Sequence, residues 1–220
     1  LVAATFTPFT KAPALDVNPD QVEKQAAWLN HTGVHWVFVS GTTGESVKLT
    51  IEERKAQAER GVAAGKKYGI RVIVHVGTES VRNAVYFSPG AVGALAETMA
   101  TIFSAAPSLP AYYYHIPSMT HADFVMLDLV KELDAMGTAN FCGIKYTGLY
   151  TYPGFMDVMN IMAFKGGKYE VLSGRDEMMI EALQVGVKGF VGSQYNLVGD
   201  LYNGIREAFA AGNVARTRIL

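Results

Sequence analysis

Three stretches of the chain hold side chains able to handle a carbonyl or a carboxylate. Lys145 closes the apolar run Phe141-Cys-Gly-Ile-Lys145-Tyr-Thr147. In an extended strand, Phe141, Gly143, Lys145 and Thr147 share one face. An amine among apolar neighbours loses solvation, its pKa falls, and its free lone pair becomes a nucleophile for a carbonyl carbon. Gly143, without a side chain, leaves space beside it. The competing reading is a strand-end lysine that reaches water or pairs with a carboxylate, the usual situation of lysines. Tyr114 lies in Ala111-Tyr-Tyr-Tyr-His-Ile116, where Tyr112, Tyr114 and Ile116 share a face and Tyr113 takes the other. A phenol beside an amine could relay protons; three aromatics in a strand equally well pack a core.

The third stretch is Gly41-Thr-Thr-Gly-Glu45, at the end of a strand-like run. Its glycines admit close backbone approach, and its hydroxyls and N–H groups could hold a carboxylate. A polar strand-to-helix turn is the plainer alternative. Ser173-Gly-Arg-Asp-Glu177 and Gly192-Ser193 stand in the same position after later strands. Asp176 and Glu177 could accept hydrogen bonds from a polyol, or simply favour a helix N-terminus.

The remaining composition narrows the class. The five histidines form no HExxH or other metal-ligand spacing, so no metal is expected. His75 reads as a satisfied core residue, and Cys142 as packing on the face away from Lys145. Neither GxGxxG nor GxxxxGK[ST] occurs, so no nucleotide cofactor is indicated. With 19 basic and 20 acidic residues and no like-charge block, neither nucleic acid nor an anionic membrane is indicated as a partner. Apolar runs stop short of a bilayer-spanning length, and the first residues have no basic stretch of the signal-peptide kind. A single cysteine fits a reducing compartment, hence a cytoplasmic location.

These residues need a frame, and its rhythm is strand followed by helix, the pattern of parallel βαβ units. Strand-like runs fall at residues 1–6, 35–40, 71–76, 111–116, 140–145, 169–172 and 189–192. A helix should open at Asn18-Pro19, with Asn18 as N-cap and Val22, Ala26 and Leu29 facing inward. Another should open at Thr50-Ile-Glu-Glu53, a capping box. Later helical patterns carry Val92, Leu95, Met99 and Ile102; Phe124, Leu127 and Val130; Phe155, Val158, Met159 and Met162; and Leu197, Leu201, Ile205 and Phe209. The frame is a single α/β domain over 1–220, a TIM (β/α)8-type barrel with seven strands where eight close the ring. The missing pair, the third helix and fourth strand, falls near Ala84–Tyr86.

In order and placement, Leu1-Val-Ala-Ala-Thr-Phe-Thr-Pro8, Gly41-Thr-Thr-Gly-Glu45, Tyr112-Tyr-Tyr-His-Ile-Pro117, Gly143-Ile-Lys145 and Gly192-Ser-Gln-Tyr-Asn196 resemble the N-acetylneuraminate lyase / dihydrodipicolinate synthase superfamily. The resemblance implies that Lys145 forms a Schiff base with pyruvate, Tyr114 relays protons, and Thr42 and Thr43 bind the pyruvate carboxylate. The synthase branch carries an arginine where this chain has Met119. Gly174-Arg-Asp-Glu177 is similar to the lyase branch, whose Asp-Glu pair binds sugar hydroxyls; Thr147 and Ser193 fit the remaining sugar contacts.

The implied reaction is reversible cleavage of N-acetylneuraminate, a sialic acid, to N-acetylmannosamine and pyruvate, with no cofactor beyond the covalent imine. The resemblance also implies a homo-oligomer, a tetramer, and a C-terminal helical extension that this chain lacks. Two other readings stand beside it: a catalytically silent truncated or splice-type relative that binds or associates, and a synthase condensing pyruvate with another aldehyde.

Overall fold

The computed structural model describes residues 1–11, 14–77, 92–120, 123–149 and 151–219. Its strands in chain order are β1 (Val2–Ala4), β2 (Trp36–Val39), β3 (Arg71–Val74), β4 (Ala111–His115), β5 (Phe141–Tyr146), β6 (Glu170–Ser173) and β7 (Gly189–Gly192). The helices are α1 (Pro19–His31), α2 (Ile51–Tyr68), α3 (Val92–Ser104), α4 (Pro117–Thr120), α5 (Met126–Ala135), α6 (Tyr152–Ala163), α7 (Met179–Gln184), α8 (Tyr195–Ala210) and α9 (Val214–Ile219). All seven expected strands form, each within two residues of the bounds read from sequence. Strand–helix alternation and parallel pairing are those of a TIM-type fold. The expected gap near Ala84–Tyr86 lies outside the described residues.

The chain divides into two compact units, Leu1–Ser80 with Val191–Leu220, and Val81–Phe190. In the first, β3, β2, β1 and the end of β7 pair in parallel; Ala3 stands opposite Val37 on one side and Gly192 on the other. Asn18 caps α1 by accepting from the Gln21 N–H, and Val22, Ala26 and Leu29 are buried. Thr50 and Glu53 close both halves of a capping box on α2, the Glu53 carboxylate accepting from Thr50 N at 2.7 Å. Asn196 ties α8 to the sheet: its Nδ2 donates to the Ala4 carbonyl at 2.6 Å, and its own carbonyl accepts from the Trp28 indole at 2.9 Å.

In the second unit β4, β5, β6 and the start of β7 pair in parallel, with Tyr114 opposite Lys145 and Lys145 opposite Leu172. Asp134 on α5 accepts from the Tyr169 hydroxyl at 2.5 Å and from Lys168 at 2.7 Å and pairs with Lys165, which ties the helix to the approach of β6.

Four helices turn faces inward other than those expected. α3 buries Leu95, Ala96 and Phe103, and leaves Ile102 exposed. α5 buries Met126, Leu129, Val130 and Leu133; Phe124 precedes it and Leu127 is only half-buried. α8 buries Tyr195, Asn196, Gly199, Tyr202, Ile205 and Ala208, and leaves Leu197 67 % exposed. α6 buries Gly154, Asp157, Val158 and Ile161 and exposes Met159. The reason on α6 is Asp157. Its carboxylate accepts from Met126 N at 2.8 Å and Leu127 N at 3.0 Å, capping α5 from a neighbouring helix, and from the Tyr146 hydroxyl at 3.2 Å. Burial pushes its pKa up, although all three donors favour the charged form. A pattern search by hydrophobicity cannot select an aspartate for the interior.

Asp157→Ala would strip an acceptor from three donors at once, and should destabilise the protein by about 2–4 kcal/mol. Asp157→Asn, which keeps one acceptor, should lose less. Thermal melts of the two variants would check this; curves superimposing on the parent's would mean that Asp157 does not hold α5.

Candidate active site

Lys145 is the next-to-last residue of β5, at the C-terminal end of a parallel strand, and only 6 % exposed. Its neighbours along the strand, Ile144 and Tyr146, are buried as well. Across the ladder on β4, Tyr114 presents its ring face, and the Lys145 Nζ lies 3.8 Å from the ring centroid. Burial brings the lysine pKa down to about 7, with the Asp176 carboxylate pulling weakly the other way. The neutral, nucleophilic form of the amine is thereby brought toward neutral pH. The reading of Lys145 as a solvated strand-end lysine fails on its burial.

Gly143 does not clear room for a substrate. A Cβ there would come within 2.0 Å of the Glu170 carbonyl oxygen, so the glycine admits the backbone of β6 instead. The space beside the lysine comes from Gly174, where a Cβ would stand 3.3 Å from Lys145 Cε and 2.7 Å from Thr147 Cγ2. The Gly174 N–H donates to the Tyr146 carbonyl at 2.8 Å and holds the turn after β6 against the end of β5.

Thr147 is buried, and its hydroxyl donates to the His115 carbonyl at 2.9 Å. With that proton engaged, the hydroxyl meets a ligand as an acceptor. Asp176 and Glu177 begin a 3-10 turn, Asp176–Met178, that leads into α7. They are not equivalent: Asp176 is 7 % exposed, whereas the Glu177 side chain is 59 % exposed and pairs with Arg175 at 3.6 Å. Lys145, Tyr114, Thr147, Gly174 and Asp176 thus come together in the second unit, with Glu177 on their outer side.

Thr42, Thr43 and Ser193 belong to the first unit. The loop carrying the two threonines is framed by left-handed residues, Ser40 at φ 56° and Glu45 at φ 52°. The Glu45 N–H donates to the Thr42 carbonyl at 3.0 Å, and the Thr7 hydroxyl to the Gly44 carbonyl at 2.7 Å. Thr42 is exposed and Thr43 half-buried. Ser193 follows β7 directly, and its carbonyl accepts from the backbone N–H and side-chain amide of Asn196. His75 lies just past β3, half-buried, with its Nδ1 3.0 Å from the Ser40 carbonyl; it is satisfied without being core. Cys142 is half-buried, its thiol 3.4 Å from the Asn140 carbonyl.

The residues missed by sequence reading sit behind β5. His115 is buried, with its ring centroid 4.7 Å from that of Tyr146, and burial brings its pKa down to about 4. Tyr146 in turn reaches Asp157. Alternation along β4 and β5 assigns both aromatics to the face away from Lys145, which marks them as packing; nothing in the residue types announces the network. Among the described residues no group of three or more His, Cys, Asp or Glu side chains could hold a metal ion, and no helix is long and apolar enough to cross a membrane.

Parallel strands alternating with helices, with a desolvated lysine stacked on a tyrosine at the C-terminal end of one strand, define a class, the α/β proteins of TIM-type fold. Within it, the chain belongs to the Dihydrodipicolinate synthetase family, whose sequence profile matches it in two stretches, residues 1–91 and 86–220. It is 34% identical over 242 aligned residues to the N-acetylneuraminate lyase of Danio rerio, spanning 100% of this chain and 76% of that protein. Among solved structures it is similar to Proteus mirabilis N-acetylneuraminate lyase, with TM-score 0.88 and 29% identity over 99% of this chain and 77% of that one. Likeness to the Aliivibrio salmonicida N-acetylneuraminate lyase is of the same order, with TM-score 0.87 and 33% identity over 98% and 76% of the two chains.

Two outcomes follow from this geometry. Because the folded-state pKa of Lys145 is depressed, folding disfavours its proton; stability should rise with pH between about 7 and the ordinary lysine value near 10.5. Lys145→Met should therefore raise the melting temperature most below pH 7, by an amount corresponding to roughly 3–5 kcal/mol, and hardly at all above about pH 10.5. A pH-independent difference between parent and variant melts would contradict the burial of an ionisable amine. Gly174→Ala should crowd the amine and slow its reaction with a small carbonyl compound by at least about tenfold, since misplacement by about 1 Å can cost a hundredfold. Adduct formation at the parent rate would show that the space beside Lys145 is not needed.

Proposed function

We propose that the chain is a carbon–carbon lyase of the imine-forming kind that reversibly cleaves N-acetylneuraminate to N-acetylmannosamine and pyruvate. The observation that carries this reading is the buried amine of Lys145, its pKa near 7, packed on the ring of Tyr114. Similarity to N-acetylneuraminate lyases along the whole chain supports the choice of substrate.

In this reading the Lys145 lone pair adds to the C2 ketone of the open-chain sugar, and loss of water leaves a protonated imine. As the C3–C4 electrons move into the imine, the C4 hydroxyl proton passes to Tyr114, whose own phenolic proton moves on to the substrate carboxylate, releasing N-acetylmannosamine as an aldehyde and leaving an enamine. Protonation at C3 and hydrolysis of the imine then release pyruvate and restore the amine. The imine is its own electron sink, so the step calls for no separate cofactor. By the resemblance, Thr42 and Thr43 hold the substrate carboxylate, and Thr147, Gly174, Asp176, Glu177 and Ser193 take the sugar. Met119, on α4, stands where the synthase branch has its arginine, which favours the lyase over a condensing synthase.

The same reading takes the frame to be a (β/α)8-type barrel lacking one helix–strand pair. It is supported by seven strands among the described residues, by a family match that breaks at residues 86–91, and by an alignment of 242 positions for a chain of 220. A cytoplasmic homotetramer accompanies it by family resemblance.

Borohydride reduction in the presence of pyruvate should add one pyruvyl group to Lys145 and none to Lys145→Ala, read by mass spectrometry. Tyr114→Phe should still form the adduct while losing roughly a hundredfold or more in sugar cleavage. A folded protein that forms no adduct would refute the proposal.

A further inference from the structure

Arg175 has no part in the chemistry just described, yet it joins two of the segments that carry the sugar contacts. Its Nε donates to the Thr147 carbonyl at 3.0 Å, at the end of β5. Its Nη1 lies 3.6 Å from the Glu177 carboxylate, beyond the end of β6. Its backbone N–H approaches the Ser173 hydroxyl at 3.4 Å, and its carbonyl approaches the same hydroxyl at 3.4 Å, which folds the turn that presents the side chain. About two-thirds of the side chain is covered, its relative exposure being 34%.

We infer that Arg175 is a positioning residue that sets the specificity of the lyase for its polyol tail, by holding Thr147 and Glu177 at a fixed separation. This rests on the reading of the site as an imine-forming sugar lyase. The guanidinium is planar, with donors at fixed angles, so the hydrogen bond from Nε to Thr147 fixes the direction in which Nη1 faces Glu177. Thr147 is held from a second direction, because its hydroxyl donates to the His115 carbonyl. Two constraints on one residue fix the direction of the lone pairs it offers a ligand. Glu177, with its side chain 59% exposed, meets the guanidinium as an ion pair at 3.6 Å, so the bond to Thr147 sets where the charge that attracts its carboxylate stands. A lysine at this position keeps the charge but presents one rotatable ammonium, and cannot fix both partners.

The inferred role separates the two halves of the substrate. Pyruvate reports on Lys145; the sugar tail reports on Thr147, Asp176 and Glu177. Arg175→Lys should raise the half-saturating concentration of N-acetylneuraminate by about tenfold, in turnover or as borohydride-trapped adduct, with kcat within about twofold of the parent. The half-saturating concentration of pyruvate in the trapping reaction should stay within about twofold. Arg175→Ala should behave likewise, and added guanidinium should restore part of its affinity for N-acetylneuraminate without altering pyruvate trapping. An unchanged N-acetylneuraminate dependence in Arg175→Lys, with trapping intact, would overturn this inference alone. An equal loss for pyruvate and sugar would overturn it too, by making Arg175 a support of the whole fold. Absence of any adduct in the parent chain would overturn the lyase reading and this inference with it.

Discussion

The structure turns on keeping one amine away from water. An ammonium ion loses much of its solvation free energy on burial, and a lysine so placed either finds a full counter-charge or gives up its proton. Burial shifts Lys145 toward the second course, and the Asp176 carboxylate offsets that burial only in part. The ring of Tyr114 complicates this balance, since a π-face attracts the cation and not the neutral amine. Burial and the ring thus act in opposite directions on the lysine proton. Such a balance depends on position, so the surrounding elements have to hold the lysine still.

They do so from the opposite face of the same strand. Along β5, Lys145 and Thr147 point toward the chemistry, while Ile144 and Tyr146 anchor the strand to its helices. The Tyr146 hydroxyl reaches Asp157 on α6, and the Asp157 carboxylate caps α5. One carboxylate, through three hydrogen bonds, thereby connects a strand and two helices behind the amine. Gly143 serves the same purpose on the ladder side, by letting β6 approach as no other residue would. The turn that ends β6 then supplies Gly174, Arg175 and Asp176 beside the lysine.

Much of this was legible in the sequence, and the parts that were not share a cause. Caps with local rules, Asn18 on α1 and the Thr50–Glu53 box on α2, read correctly because both partners lie within three residues. Strand runs read correctly because short runs of β-branched and aromatic residues set them apart from the helices, even in β3, where no residue is fully buried. The inward faces of α5, α6 and α8 did not, because each is decided by a distant polar group or by small residues. Asp157 turns α6, and Gly199 and Asn196 turn α8, so that larger apolar residues such as Met159 and Leu197 face outward. Lys145, Tyr114, Thr147 and the Gly174–Glu177 turn were visible as motifs. The contribution of Arg175 was hidden in plain view, since a residue inside a motif shows its partner only once two strand ends meet.

Both tryptophans of the chain, Trp28 and Trp36, lie in the first unit, one with its indole on the Asn196 carbonyl and the other under the Arg71 guanidinium. The second unit, which holds Lys145, carries tyrosine and phenylalanine but no tryptophan. The protein therefore has a built-in optical asymmetry. Indole emission follows the unit of the threonine loop and Asn196, whereas the near-ultraviolet signal of tyrosine is weighted toward the unit of Lys145. An unfolding transition seen by one chromophore and not by the other would separate the two units without any label being added.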